Sequence, residues 1–548
     1  MSITEDKTPT TIPDNVPVLA MYDVRGIQDY IFRTSNTDDV VGASVIVETI
    51  IEDALSTAIE AEPNAEILKD GLEWLEKNEE GKATRVKDYK KEDEDAAFQV
   101  LYIGGGNAYV TYSSKEMCIR INRRMSRYVI EKTYSLQLAV AFVEKTKNYK
   151  LDYARLVKKM DEVKAKMTIS RPIAALPIMK VEESTGYAVS ALSEYQNSTE
   201  TELKGKRGQE NTSKKNLTDL TNRRGRNSTL AVVHIDGNNM GLRIRALTKN
   251  SKSYFDAVNK MRTISYNIQS AYSSCFDEMV QRAQRVSKHN LIYKVLVAGD
   301  DITYICNGEC ALATVEDFAQ RISKRTMDGS KNDKLAFSIC AGIAYRAASG
   351  FPFAKVYNIA ESCCESAKSV AKLECNKDSG KVGNWVDFQV ITDIHEYDVQ
   401  SLRDRDYITA TGEVLTKRPY FIPVERSQKG SNFELLYRSD RSFPHLIEAI
   451  CFFKFGPSKK RQGTCEKISK KDVVLLKNAY ILGKDKVDQL LPDFEAKKYG
   501  MPDRQSGGLD NYKAYVADKS TGVSRLVARW YDALELVDLY NGFPTNTK

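Results

Sequence analysis

Among ten cysteines the sequence has no CxxC pair, and it carries only four histidines and three tryptophans. Without paired CxxC motifs, a zinc ribbon or a thioredoxin-like redox centre has no ligands, and the cysteines read as reduced thiols. Cys306 and Cys310 have metal-like spacing, yet no second pair follows, so buried structural thiols are the expectation there as well. The segment Met1 to Asn15 lacks a basic start and an apolar centre, which predicts no signal peptide and a cytoplasmic protein. The most apolar late stretch, Pro444 to Phe455, is broken by Glu448 and Lys454 and falls short of a membrane span, so no membrane partner is expected.

What is present is ordinary globular material. Apolar residues make up 42% and charged residues 28%, which excludes wholesale disorder and fibrous repeats. At 548 residues the chain exceeds one domain and predicts several, each with its own core. A formal net charge of +7 is compatible with anionic partners such as nucleotides or RNA without demanding them.

Hydrophobic patterning suggests a duplicated unit. Val16 to Asp23 reads as a strand, and Gly42 to Ile51 as helix continuing toward Glu60. Pro63 to Ala97 is rich in Lys, Glu and Asp and reads as a solvated insertion rather than core. Two strands follow, Phe98 to Ile103 and Ala108 to Tyr112, joined by a tight turn at Gly104, Gly105, Gly106 and Asn107. A strand at Leu136 to Val143 and a basic helix at Tyr153 to Met167 complete the order of a ferredoxin-like palm.

Ser170 to Asn227 is polar and basic, either a solubilising linker or a nucleic-acid contact. The order then returns. A strand from Leu230 to Ile235 ends at Asp236, and a helix spans Tyr254 to Val286, with Phe255, Val258, Met261, Ile264, Ile268, Tyr272 and Met279 on one face. The strands Leu291 to Val297 and Ile302 to Cys306 flank a hairpin tip at Gly299, Asp300 and Asp301. Helices near Val315 to Arg325 and through Val356 to Val370, and strands Ala336 to Tyr345 and Trp385 to Ile391, finish the second copy. The remainder reads as helices, the clearest being Val523 to Leu539, where Leu526, Trp530, Leu534 and Val537 recur at helical spacing.

The predicted fold class is therefore α+β: two ferredoxin-like palms, a connector and a C-terminal helical domain. The expected divisions are a disordered tail at 1–15, a first palm at 16–168, a connector at 169–228, a second palm at 229–397 and the helical domain at 398–548.

In a palm, the end of the first strand and the tip of the following hairpin lie side by side. Asp236, Asp300 and Asp301 would converge there as hard oxygen donors suited to Mg²⁺ or Mn²⁺. Asp-rich hairpin tips also arise because Asp favours turns; Asp236 at the preceding strand end is what distinguishes a metal site from a turn. Ile235 joins the expected metal set beside Asp236. The turn Gly237, Asn238, Asn239, Met240 and Gly241 would present backbone N–H groups to a triphosphate, together with Gly299. Lys368 would either reach phosphate or remain an ordinary solvated lysine.

These residues resemble a known family, the large polymerase-like subunit of type III CRISPR effectors, whose palms are related to GGDEF nucleotide cyclases. The resemblance is carried by Asp23 to Phe32, Gly104 to Asn107, His234 to Gly241, Ala298 to Asp301, Ser338 to Gly342, Lys368 and Asn384 to Phe388, and it extends to Arg418-Pro419-Tyr420. It implies that the paired palms bind ATP and, with two metal ions, join it into cyclic oligoadenylate, a second messenger in antiviral defence. It also implies guide or target RNA and other effector subunits as partners. A nucleotide-binding scaffold subunit and a cyclase making a cyclic dinucleotide are the alternatives.

Against the family pattern, Ala298 replaces a glycine, which keeps both carboxylates. None of His234, His289, His395 and His445 is followed by Asp, so a His-Asp nuclease domain is not expected. The stretch Ile178 to Ser190 lacks cysteine where relatives hold zinc, so no zinc is expected. In the first palm Gly106 and Asn107 stand where a catalytic palm has two aspartates. Asp23 and the Gly104, Gly105, Gly106, Asn107 turn would then hold nucleotide without catalysing.

Overall fold

A computed structural model describes residues 12–31, 37–79, 83–104, 106–133, 135–168, 177–178, 217–221, 228–249, 251–286, 291–330, 332, 335–348, 351–374, 382–392, 398–424, 432–457, 465–502, 513–518 and 525–542. Nearly all of the expected connector, including the stretch compared with a zinc site, lies outside these residues, as do Gly105 and most of the N-terminal tail.

The chain divides into two compact units. One comprises 1–213, 239–270 and 298–300; the other comprises 214–238, 271–297 and 301–548.

The first unit contains a four-stranded antiparallel sheet. Its strands are β1 (Val18–Arg25), β4 (Phe98–Gly104), β5 (Asn107–Tyr112) and β6 (Gln137–Glu144), with the small hairpin β2 (Leu75–Lys77) and β3 (Ala83–Val86) preceding β4. The spatial order β4-β5-β1-β6 is that of a ferredoxin-like palm. An apolar run passing into alternation explains β1, where Val18, Leu19 and Ala20 are buried in succession and Tyr22 and Val24 at every second position after them. The helices are α1 (Ile27–Ile31), α2 (Thr37–Glu60), α3 (Ala65–Lys69), α4 (Lys115–Thr133) and α5 (Tyr149–Lys166).

The charged stretch expected to be a solvated insertion is anchored. Trp74 and Tyr89 are buried, and Tyr89 belongs to the same apolar cluster as Leu19, Leu101 and Tyr109. Two isolated aromatics in a run of charge leave no periodic signal, yet each buries enough ring area to dock the segment.

Arg262, on the helix Tyr254–Val286, binds the same segment. Its guanidinium is buried and donates to the carbonyls of Lys87, Val100 and Leu101 at 2.7, 2.6 and 2.8 Å. It also lies 5.2 Å from the centre of the Tyr89 ring. Replacing it would strip donors from three carbonyls in a dry interior. Arg262→Met is therefore expected to destabilise the chain by about 3 kcal/mol. Chemical unfolding followed by tyrosine and tryptophan emission measures this, and an unchanged midpoint would refute the anchoring role.

The second unit repeats the topology and extends it. Its strands β7 (Thr229–Gly237), β8 (Ile292–Ala298), β9 (Asp301–Asn307), β10 (Ile339–Ala347), β11 (Asn384–Val390) and β12 (Tyr420–Ile422) lie in the order β12-β11-β10-β7-β9-β8. The palm core β10-β7-β9-β8 matches β6-β1-β5-β4 of the first sheet, and β11 joins parallel to β10. In chain order α6 (Met240–Thr248) and α7 (Tyr254–Val286) come between β7 and β8, α6 and the part of α7 up to residue 270 being grouped with the first unit, while α8 (Ala311–Ile322) follows β9 and α9 (Phe353–Leu373) follows β10. Phe255 is exposed, whereas Val258, Met261, Ile264, Ile268, Tyr272 and Met279 are buried as their spacing requires.

The C-terminal part is mostly helical, with α10 (Val399–Asp406), α11 (Asn432–Arg438), α12 (Phe443–Phe455), α13 (Lys470–Leu482), α14 (Lys484–Ala496) and α15 (Tyr531–Leu536). The single helix expected over Val523 to Leu539 is not what forms. Instead β13 (Tyr515–Asp518) pairs with β14 (Arg525–Ala528), and only then does α15 begin. Leu526 is exposed while its neighbour Val527 is buried, a two-residue alternation that the 526, 530, 534 spacing concealed. Val414 bridges to Val527 and fixes the segment as extended. Among the described residues no helix is long and apolar enough to cross a membrane.

Candidate active site

The two palms superimpose by register. In the first sheet Tyr22 pairs with Ala108 and Asp23 with Asn107. In the second, Ile235 pairs with Ile302, so one step on Asp236 stands beside Asp301. Asp236 thus takes the place of Asp23, and Asp301 that of Asn107. Asp300 falls where the first palm has Gly106, and Gly299 supplies the left-handed turn residue at φ 65°.

Asp301 sits against His234, whose Nδ1 is 3.4 Å from its Oδ1 and 3.2 Å from the Thr303 hydroxyl. Burial, with the Lys368 charge adding to it, pushes the His234 ring down to about 4, which keeps it neutral at ordinary pH. Edge-on contact with Tyr357 at 5.6 Å fixes the ring plane. The sequence places His234 in a segment of family resemblance but gives it no role at the site, because an apolar strand with one histidine looks like core; its offset of two residues from Asp236, on the same face of β7, was the available signal.

Asp236 forms an ion pair with Lys368 of α9. Burial lowers the Lys368 ammonium from its usual range, with the Lys372 charge adding to it. In the first palm Asp23 pairs with Lys164 of α5 at 2.8 Å. Both palms therefore set a lysine from the helix after their fourth strand against the aspartate of their first. Lys164 was not singled out in the sequence, although aligning the two halves on the fourth strand puts it at nearly the same offset as Lys368.

Asp300 is grouped with the other unit of the chain. Burial pushes its carboxyl up to about 6.

The turn after β7 divides in use. The Asn238 amide N–H donates to Ser338 O at 2.9 Å. Its side chain donates to Ser338 Oγ and Gly383 O at 3.3 and 3.1 Å and accepts from the Cys340 thiol at 3.1 Å. Asn238 is thus committed to the fold. Asn239 adopts a left-handed φ of 56° immediately before α6 starts at Met240. Gly237 closes β7 opposite Ile339. A Cβ on Gly241 or Gly299 would meet nothing within 4 Å, so both positions leave the backbone open to a ligand. In the first palm Gly106 also has a positive φ, and Gly104 pairs with Asn107.

Asp236 and Asp301 are hard oxygen donors at the ends of adjacent strands, a chemistry that fits Mg²⁺ or Mn²⁺. Ile235 lies between Ile302 and Ala341 in the sheet. Among the described residues no group of three or more His, Cys, Asp or Glu is already arranged to hold a metal ion. The aspartates are carried by neighbouring strands, with Lys368 balancing the charge of Asp236.

No curated protein matches the sequence. Residues 229–379 match the family model for Cas10/Cmr2, second palm domain. Among solved structures, the chain resembles a Csm1–Csm4 cassette in complex with one ATP at 13% identity and a TM-score of 0.39, over 65% of this chain and 54% of that one. It resembles the apo Csm1–Csm4 cassette at 13% identity and a TM-score of 0.48, over 96% of this chain and 70% of that one. It also resembles Csm1 in T.onnurineus at 13% identity and a TM-score of 0.46, with 96% and 70% covered. The chain spans about half the length of the first of these matches. The segment that matches this family model, residues 229–379, is the one that carries Asp236, Asp300 and Asp301 and the strands β7 to β10 of the repeated palm topology.

Proposed function

We propose that the chain is a metal-dependent nucleotidyltransferase that converts ATP to cyclic oligoadenylate within a CRISPR-type antiviral effector. The observation that carries this reading is the placement of Asp236 and Asp301 side by side at the open ends of central strands in a second palm of this family. Asp236, Asp300, Asp301 and the main-chain carbonyl of Ile235 are the groups that would hold two Mg²⁺ or Mn²⁺ ions. When bound, these would acidify a ribose 3′-hydroxyl and screen the triphosphate charge.

The residues of the chain have separate tasks. Lys368 holds Asp236 and is near enough to exchange it for a phosphate oxygen. Gly241 and Gly299 keep the backbone accessible to phosphate. Neutral His234 orients Asp301 without competing for its charge. The first palm has Asn107 opposite Asp23, so it lacks the second carboxylate and takes the role of a nucleotide-holding partner. Target RNA and other effector subunits are the expected activators.

Lys368→Met is expected to lower kcat for pyrophosphate release about tenfold to a hundredfold while ATP binding weakens less, as for loss of a phosphate-directed charge. Mass spectrometry of products from mixed ATP and GTP, with an RNA-loaded effector complex present, tests the product. Linear or guanine-containing products alone would overturn the adenylate assignment.

A further inference from the structure

Two stretches singled out in the sequence, Ser338 to Gly342 and Asn384 to Phe388, hold none of the groups assigned to metal or phosphate above. The structure brings both against Asp236 and the two residues that follow it. In the β7–β10 register Asp236 stands opposite Cys340 and Gly237 opposite Ile339, and the Asn238 N–H donates to Ser338 O at 2.9 Å. The buried Asn238 carboxamide then ties β10 to the entry of β11. Its nitrogen donates to Ser338 Oγ at 3.3 Å and to the Gly383 carbonyl at 3.1 Å, while its oxygen accepts from the Cys340 thiol at 3.1 Å. Asn384, also buried, repeats the tie from the other side: it accepts from the Ile339 N–H at 2.9 Å and donates to Ser323 Oγ at 3.1 Å. Buried carboxamides are costly unless fully bonded, and bonded in this way they fix one geometry where apolar side chains would allow several.

The Gly383–Asn384 peptide is in turn seated by the C-terminal part of the chain. A Cβ on Gly383 would fall 2.4 Å from the Phe421 ring and 3.2 Å from the Phe433 ring, so the backbone there lies directly on both. Phe421 belongs to β12 and Phe433 to α11. The two rings stack with centres 5.3 Å apart, and Trp385 meets Phe421 edge-on at 5.5 Å. All three aromatics share one apolar cluster with Cys340, the residue opposite Asp236. A short run of buried contacts therefore leads from α11 to the aspartate: Phe433 on Gly383, the Gly383 carbonyl on Asn238, and Asn238 two residues from Asp236.

We propose that Asn238 is a positioning residue through which Phe433 of the C-terminal part sets the place of Asp236 and of the turn after it. The inference rests on the metal-directed role that the nucleotidyltransferase reading gives Asp236. Removing the Phe433 ring lets the Gly383 carbonyl move from Asn238, which then keeps only its bonds to β10, and the end of β7 loses its second support. The C-terminal part, which brings no metal or phosphate ligand of its own, thereby acts on the site by holding it in register.

The test takes the full chain as Phe433→Leu, as Asn238→Ala and as the double variant, with two readouts. Amide hydrogen exchange over residues 236–243, followed by mass spectrometry, is expected to quicken about tenfold in each single variant while β8 exchanges as before. Under conditions in which the unaltered chain releases pyrophosphate, kcat is expected to fall about tenfold in each, with KM for ATP within about threefold. A residue that only supported the fold would lower the melting midpoint and leave kcat of the folded chain unchanged. Because Phe433 acts through Asn238, Phe433→Leu should cost less than about twofold when added to Asn238→Ala. Unchanged exchange over 236–243 in Phe433→Leu, unchanged kcat in a folded Asn238→Ala chain, or full additivity in the double variant overturns the proposal. Should Asn238→Ala not fold, exchange in Phe433→Leu decides. If the unaltered chain releases no pyrophosphate with any activator, the nucleotidyltransferase reading fails, and the exchange result alone decides the coupling of Phe433 to the turn.

Discussion

Asp301→Ala is expected to reduce pyrophosphate release from ATP at least about a thousandfold, with the chain still folded. Asp301 lies at the exposed end of β9, its side chain 40% open and set against His234 rather than packed in the core. Removing it therefore takes away an oxygen that the proposed function assigns to metal, at little structural cost. A loss of this size corresponds to about 4 kcal/mol of transition-state stabilisation, within what a bound cation contributes at a phosphoryl group. Asn107 in the first palm is the natural control, since it occupies the matching register position. Asn107→Asp restores a carboxylate opposite Asp23, and Asn107→Ala should leave catalysis within about threefold of the unaltered chain. Steady-state pyrophosphate assays on the three variants measure this. Retention of activity in Asp301→Ala would remove the second palm from the chemistry.

Gly342→Ala is expected to be the most damaging single methyl in the second unit. Gly342 lies on β10, and a Cβ there would land on the backbone of α9, at the Ala360 carbonyl and the Cys364 amide. Neither neighbour is the end of a flexible side chain, so the strand and helix must separate. Overpacking of this kind costs about 3 kcal/mol or more. Because α9 carries Lys368, the same displacement pulls the ammonium from Asp236. Stability and turnover should therefore fall together, whereas Lys368→Met lowers turnover alone. Thermal melting beside the pyrophosphate assay makes the comparison. A Gly342→Ala chain that melts normally would show that the close approach of β10 and α9 is not needed.

The palms were legible because their strands alternate or run apolar and their hairpins carry glycine. Val18–Arg25, Phe98–Gly104 and Asp301–Asn307 fall within about two residues of the expected strands. The register then explains why Asp236 and Asp301 mattered in the sequence: their spacing along the chain means nothing until β7 and β9 pair. What escaped notice depends on contacts between distant segments. Arg262 reaches carbonyls more than 160 positions away in the chain. Tyr89 is an aromatic in a charged run, and Leu526 and Trp530 keep helical spacing although Arg525–Ala528 pairs as a strand. Lys164 and Lys368 become a matched pair only once both helices lie on their sheets.

The central claim is that only the second palm holds catalytic metal. Anomalous diffraction at the manganese edge, from crystals grown with Mn²⁺ and a non-hydrolysable ATP analogue, tests it most directly. Two manganese peaks are expected within coordination distance of Asp236, Asp300 and Asp301, with none at Asp23. Peaks at Asp23, or nucleotide bound with no manganese at the three aspartates, would contradict it.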